Sequence, residues 1–355
     1  MKNKKVYYNW DNLIATGATY LMALGARNIG KSYDIKIKVL RNAYKSDNKF
    51  GLVRRWKEDL KQDLVQQYFA DMPIKDITHE EYNYIRCWQG KIYFGNLNDD
   101  GVWDRKKKLI GYCFALTSEQ HFKSTMYPDL TDLIFEEFIS NTFYLPDEPK
   151  KLTSLISTIA RGRKIKVFLV ANTISRMCPY FGYWSLDKTL QQKQGTIDTY
   201  DFTFTNDYDE QEIIKVAVEM CGIMSTNKMF FGKSQNMTVN GKWQSDEHPT
   251  LQYDRREYTE VYEMFVFKES LKFRCILLKK DTCFIWFVEP FTGKFKNIPN
   301  TRIIGDIYNE SMLATTKLTP LSDKEGIAFT LVGLGKIAYS DNLTGTEFTK
   351  LLESL

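Results

Sequence analysis

Gly25-Ala26-Arg27-Asn28-Ile29-Gly30-Lys31-Ser32 carries the sharpest chemical pattern in the chain: a glycine, four variable residues, a second glycine, a lysine and a hydroxyl. This is a complete phosphate-binding loop. Its glycines let the backbone wrap phosphate oxygens, and the amide N–H groups opening the next helix point at the anion. Lys31 would reach the β- and γ-phosphates of ATP, Ser32 would ligate Mg²⁺, and the loop through Tyr33 would form the rest of the cradle. The alternative, a glycine turn with no ligand, fits the flanking pattern less well. The apolar run Tyr20-Leu-Met-Ala-Leu precedes the loop, and a helix over 32–44 is expected to follow it.

Binding alone does not hydrolyse. Thr131-Asp-Leu-Ile-Phe-Glu136-Glu137 reads as an apolar strand ending in paired carboxylates. Glu136 is assigned to the metal and Glu137 to polarising the attacking water. The usual first acid is Asp, so Glu136 adds a methylene of reach. A third strand, Lys166-Val-Phe-Leu-Val-Ala171, ends at Asn172-Thr173, where an amide or hydroxyl could sense the γ-phosphate; a plain helix cap is the bland alternative. Just upstream, Arg161-Gly-Arg163-Lys164 could supply a guanidinium across a subunit boundary, though such loops are more often solvated turns. Arg54-Arg55-Trp56-Lys57 with Lys61, and Arg105-Lys106-Lys107-Lys108, are the densest basic clusters. Either could follow a phosphate backbone, and either could be an ordinary charged loop.

These residues need a scaffold that delivers strand ends to one edge. Short apolar runs at 19–25, 50–54, 91–95, 109–116, 132–136 and 166–171, separated by helix-length segments, predict an α/β domain with a mostly parallel sheet. The polar passage after 185 reads as a linker, and Asp209 to Met220 as a short amphipathic helix. From 226 onward, runs at 261–268, 272–279 and 283–289 predict an antiparallel meander followed by helices such as 346–354. The expected division is therefore a motor domain over 1–200, a linker over 201–225 and a smaller α+β domain over 226–355.

Composition agrees with a folded, two-domain chain: 355 residues, 43% apolar and 26% charged. A net charge of +5 permits contact with a polyanion without requiring one. The six cysteines show no metal-ligand spacing and are expected to be reduced thiols in a cytosol, and the three histidines have no ligand-like neighbours. No signal peptide opens the sequence, and no apolar run approaches the roughly 20 residues of a membrane span, so a soluble protein is expected.

Taken together, Gly25 to Tyr33, Val53-Arg-Arg-Trp-Lys57, Lys123-Ser-Thr-Met-Tyr-Pro128, Ile134-Phe-Glu-Glu-Phe138 and Asn172 with Pro179-Tyr-Phe181 resemble the DNA-packaging ATPases of phi29-like tailed phages. These are compact relatives of the large terminase subunits. The resemblance implies an ASCE-type P-loop domain that assembles as a ring, a pentamer, at the portal vertex of a procapsid in the host cytoplasm and pumps double-stranded DNA inward. It implies that Arg161 is an arginine finger acting in trans, Lys123 a second trans-acting basic residue, and Lys57, flanked by Arg54 and Lys61, a pore residue facing DNA. A scaffold RNA is a further partner that it admits. It also implies an RNase H-like C-terminal domain that no longer cuts.

The residues themselves leave two other readings open. An active nuclease needs converging carboxylates, and Glu263, Asp281, Glu289 and Asp306 are candidates only by being acidic. A nucleotide-gated binding module without turnover would follow if Glu136 misplaced the metal.

Overall fold

The computed structural model describes residues 7–122, 125–140, 143–205, 211–223, 239–268, 271–293, 302–305 and 322–353. The chain separates into two compact units. Among the described residues, the first comprises those up to Ile174 together with 191–223 and 239–242, and the second comprises 175–190 and those from Trp243 onward.

The first unit is built on a nine-stranded sheet of β1 (Tyr20–Gly25), β2 (Lys49–Arg54), β3 (Tyr84–Trp88), β4 (Lys91–Leu97), β5 (Trp103–Ala115), β6 (Leu130–Glu136), β7 (Lys166–Asn172), β8 (Thr196–Thr205) and β9 (Gln211–Met220). Their spatial order is β3-β4-β5-β2-β6-β7-β1-β9-β8. The six strands from β5 to β9 in that order pair in parallel, and an antiparallel partner extends each side. Strand β1 is buried at all six positions, as expected where a parallel strand is covered on both faces. The helix Lys31–Lys45 follows β1 and buries Ile35, Ile37, Val39, Leu40 and Ala43. The mostly parallel α/β sheet expected from the sequence is therefore present.

Two expectations need correction. Among the described residues of the expected helix over 209–220, Gln211–Met220 form a strand, β9, which pairs in parallel with β1. Ile213, Ile214, Val216 and Val218 are β-branched and crowd a helix turn, whereas on a pleated surface they pack well. Much of the expected linker over 201–225 thus belongs to the sheet. The second correction is that 175–190, placed in the motor domain by sequence, groups with the C-terminal unit, where Arg176 pairs bidentately with Glu347 at 2.5 and 2.8 Å.

The second unit holds β10 (Thr259–Lys268), β11 (Leu271–Lys280), β12 (Cys283–Pro290), β13 (Arg302–Gly305) and β14 (Ile337–Tyr339) in the order β13-β10-β11-β12-β14. The first three form the expected antiparallel meander, and β13 and β14 join its two edges in parallel. Alternate residues Phe273, Cys275 and Leu277, with Trp286 and Val288, cluster with Ala328 and Leu331 of the helix Asp323–Gly333 and Phe348 and Leu351 of the helix Asn342–Glu353. This is the α+β architecture expected after residue 226. Among the described residues, no helix is long and apolar enough to cross a membrane.

Candidate functional site

The register of β6, β7 and β1 sets the chemistry. Gly25 lies beside Asn172, and Glu136 beside Val170, so the carboxyl ends of three adjacent parallel strands reach one edge. Open α/β sheets present their ligand crevice at that edge. Gly30 caps the helix Lys31–Lys45 at φ 99°, a left-handed conformation that favours glycine. Gly25 is required for another reason: a Cβ there would lie 2.8 Å from Cβ of Cys221.

A cavity of about 360 Å³ opens over this loop. Arg27, Asn28, Ile29, Gly30, Lys31, Ser32 and Tyr33 line it together with Glu136, Glu137 and Asn172. Lys31 is 5% exposed. Its Nζ donates to the carbonyls of Gly25 (3.2 Å) and Ala26 (2.6 Å) and to Oδ1 of Asn172 (3.3 Å). Burial lowers its pKa to about 8, against the opposing pull of the Glu136 charge. An ammonium held by neutral oxygens beside a ring of amide donors is a receptor for phosphate.

Of the two acids, Glu136 is buried and accepts a hydrogen bond from the Tyr68 hydroxyl at 2.7 Å. Glu137 has a 79% exposed side chain. Its backbone takes φ 58°, with its N–H donated to the Val170 carbonyl. Arg54 lies 3.7 Å from its carboxylate. Thr173, the other polar group at the end of β7, is buried and donates its hydroxyl to the Lys242 carbonyl.

The Arg–Gly–Arg loop resolves into two roles. Arg163 donates to the carbonyls of Pro128, Leu130, Tyr127 and Ile159 at 2.6–3.1 Å, and is a structural clamp. Arg161 caps the helix Glu148–Ala160 in a left-handed conformation, is exposed, and does not line the cavity. Lys123 lies outside the described residues.

The basic cluster after β2 also divides, between buried and exposed side chains. Arg55 is buried and bonds Glu148 bidentately at 2.7 and 2.9 Å. It also donates to the Phe138 carbonyl at 2.9 Å, so it buttresses the turn after β6 instead of facing solvent. Arg54 turns toward Glu137 and the Tyr68 ring. Lys57 and Lys61 are exposed, with no ion pair among the described residues. In the second cluster, Lys106 pairs with Glu81 at 3.0 Å, Lys107 sits over Trp88 and Tyr93, and Lys108 donates to the Tyr44 carbonyl.

Among the acids considered for a nuclease, Glu263 and Glu289 converge, but on a cation. Arg274 Nε donates to Glu263 at 2.6 Å, Nη1 to Glu289 at 3.1 Å and Nη2 to Glu260 at 2.8 Å. Asp281 sits apart in the β11–β12 turn at φ 53°, and Asp306 lies outside the described residues. Among the described residues, no group of three or more His, Cys, Asp or Glu side chains could hold a metal ion.

Several contributors gave no sequence motif. Trp10 is fully buried, donates its indole N–H to the Lys31 carbonyl at 2.8 Å and its backbone N–H to Asp34, and so staples the start of the loop helix. Tyr8 N–H donates to the Ile29 carbonyl at 2.8 Å. Tyr68 and Arg274 are likewise long-range partners. Only the apolar aromatic character of the Tyr8–Trp10 segment could have hinted that it is packed.

The profile of the podovirus DNA encapsidation protein (Gp16) family matches residues 2–239. The DNA packaging protein of Bacillus phage B103 is 34% identical over 174 residues, 48% of this chain and 49% of that protein. The DNA packaging protein of Bacillus phage phi29 is 28% identical over 200 residues, 55% of each. The chain thus spans about half the length of the curated relatives it matches. Among solved structures, the bacteriophage Phi-29 viral genome packaging motor assembly aligns with a TM-score of 0.59 at 19% identity, covering 98% of this chain and 99% of that one. That similarity is one of fold.

Proposed function

This chain belongs to the podovirus DNA encapsidation protein (Gp16) family, and from that premise we propose that it is the ATP-hydrolysing subunit of a ring motor driving double-stranded DNA into a preformed phage capsid. The observation that carries this reading is the convergence of Lys31, Ser32, Glu136, Glu137 and Asn172 on one cavity at the carboxyl ends of β1, β6 and β7.

Each residue's part follows from where it sits. The loop amides and Lys31 hold the phosphates, and the burial of Lys31 strengthens its attraction for them. Ser32 and the buried carboxylate of Glu136 fit a Mg²⁺ site: the Tyr68 hydroxyl is the one donor to Glu136 among the described residues, which leaves a second carboxylate oxygen for the ion. Bound there, the metal would neutralise charge on the β- and γ-phosphates. Glu137, at the exposed lip, accepts the proton of the attacking water. Asn172 accepts from Lys31 through Oδ1, and its amide N–H₂ is left to meet the γ-phosphate.

Arg161 lies outside its own chain's cavity on an exposed helix end, which suits delivery to a neighbouring copy. A guanidinium in trans makes hydrolysis depend on assembly, here as a pentameric ring at the portal vertex in the host cytoplasm. Lys123 is assigned the same trans role from sequence. Lys57 and Lys61 offer exposed cations to the DNA backbone, and Arg54, 3.7 Å from Glu137, is the third basic residue assigned to that surface. Scaffold RNA is a further partner of such an assembly. The guanidinium of Arg274 among three carboxylates favours a C-terminal unit that binds DNA or the portal without cutting.

The test uses the full chain. Lys31→Ala should lose binding of a fluorescent ATP analogue. Glu137→Gln should bind it as wild type does while losing roughly 10²-fold or more in turnover, the share typical of a general base. Normal turnover in Glu137→Gln would remove that acid from the mechanism, and normal binding in Lys31→Ala would overturn the assignment of the cavity.

A further inference from the structure

A glutamate reaching for a metal has one more rotatable bond than an aspartate and must be held to act like one. Here Tyr68, the last residue of the helix Gln62–Tyr68, does the holding. Its hydroxyl donates to Oε1 of Glu136 at 2.7 Å. The ring is fixed from two sides: Lys36 Nζ lies 4.7 Å from its centroid and the Arg54 guanidinium 5.4 Å. Lys36 also donates to the Tyr68 carbonyl at 2.7 Å and to Asp71 at 2.6 Å, which ties the end of this helix to the phosphate-loop helix one turn beyond Ser32. Phe69 packs edge-on against both Tyr68 and Phe50, completing the seat.

We propose that Tyr68 is a positioning residue for the metal side of the site, orienting Glu136 so that one oxygen is held by the phenol and the other faces the cavity beside Ser32. The inference rests on the reading of Glu136 as the metal-side acid. The same ring seats Arg54, whose guanidinium is 3.7 Å from Glu137, so one side chain touches the supports of both acids by different groups: the hydroxyl for Glu136 and the π face for Glu137.

That division makes the test specific. Tyr68→Phe keeps the ring and removes the hydroxyl. Mn²⁺ binding, read by its electron paramagnetic resonance signal with a non-hydrolysable ATP analogue on the full chain, should weaken about tenfold, in line with the loss of one charged hydrogen bond. Analogue affinity in EDTA should be unchanged, and turnover at saturating metal should stay near wild type. Tyr68→Leu, which also removes the ring, should in addition lower turnover at saturating metal.

In a Glu136→Asp background the carboxylate is too short to meet the phenol, so adding Tyr68→Phe should cost nothing further, and a double-mutant cycle reads that coupling directly. Equal Mn²⁺ affinity in wild type and Tyr68→Phe, or additive losses in the cycle, would overturn the assignment. Failure of the wild-type protein itself to bind Mn²⁺ with nucleotide would instead count against the metal reading of Glu136.

Discussion

Two arginines one residue apart show how much a contact adds to a letter. Arg161 and Arg163 are indistinguishable in a solvated Arg–Gly–Arg pattern, yet Arg163 donates to four main-chain carbonyls at 2.6–3.1 Å, while Arg161, exposed at a helix end, reaches the Thr158 and Thr125 carbonyls at 3.4 and 3.5 Å. Arg163→Ala should therefore lower the melting temperature, because each charged hydrogen bond contributes about 1.5–3 kcal/mol and four carbonyls lose their donor. Arg161→Ala should leave the melting temperature within a degree or two and abolish turnover only in assembled rings. Calorimetry and an ATPase assay on the same preparations separate them, and the reverse pattern would exchange the two roles. A similar contrast holds at Arg55: its partner Glu148 is fully buried, so Glu148→Ala strands a buried guanidinium and should destabilise the protein by about 3–5 kcal/mol in denaturant unfolding. A loss under 1 kcal/mol would contradict that burial. The phosphate loop and the acid pair were legible because local spacing fixes them. Tyr68, Trp10 and Arg274 were not, because each acts on residues that only the folded chain brings near.

Strands of the parallel sheet were legible for a related reason. A strand covered on both faces is a continuous apolar run, and β1, β6 and β7 stand out as such. A short run of mixed apolar and charged residues such as that of β9 satisfies either the helical or the strand period; its β-branched content, and pairing with β1, decide for the strand. In the second unit, the helix Asp323–Gly333 begins with a capping box of Ser322 and Glu325. Burial opposes ionisation of Glu325, but hydrogen bonds from Arg302, the Ser322 backbone and Tyr262 prevail and hold its pKa down to about 2. Because the folded value is depressed, this carboxylate's stabilising contribution is complete above its ordinary pKa of 4.5 and is lost as pH falls from there toward 2. Acid unfolding followed by circular dichroism should show Glu325→Gln less stable than wild type at pH 7, with the difference shrinking below pH 4. A constant difference down to pH 2 would place the carboxylate's contribution elsewhere.

For the molecule as a whole, the sequence carried the two-part plan but misplaced its seam. The return of Thr196–Thr205 and Gln211–Met220 to the first sheet and the departure of 175–190 to the second unit depend on pairings far apart in the chain. No composition shift marks such an exchange. Glu260, Glu263 and Glu289 converge on Arg274, so incubation with plasmid and Mn²⁺ should give no nicking under conditions where DNA is bound; nicking that disappears in Glu263→Gln would establish a nuclease instead.

The central claim, a ring motor fuelled by the cavity at β1, β6 and β7, is tested most directly by steady-state ATP hydrolysis across protein concentration, with and without long double-stranded DNA, in wild type and Glu137→Ala. Turnover that rises with concentration, is stimulated by DNA and vanishes in Glu137→Ala is the expected result. Nucleotide binding without turnover under every condition, or turnover indifferent to Glu137, would contradict it.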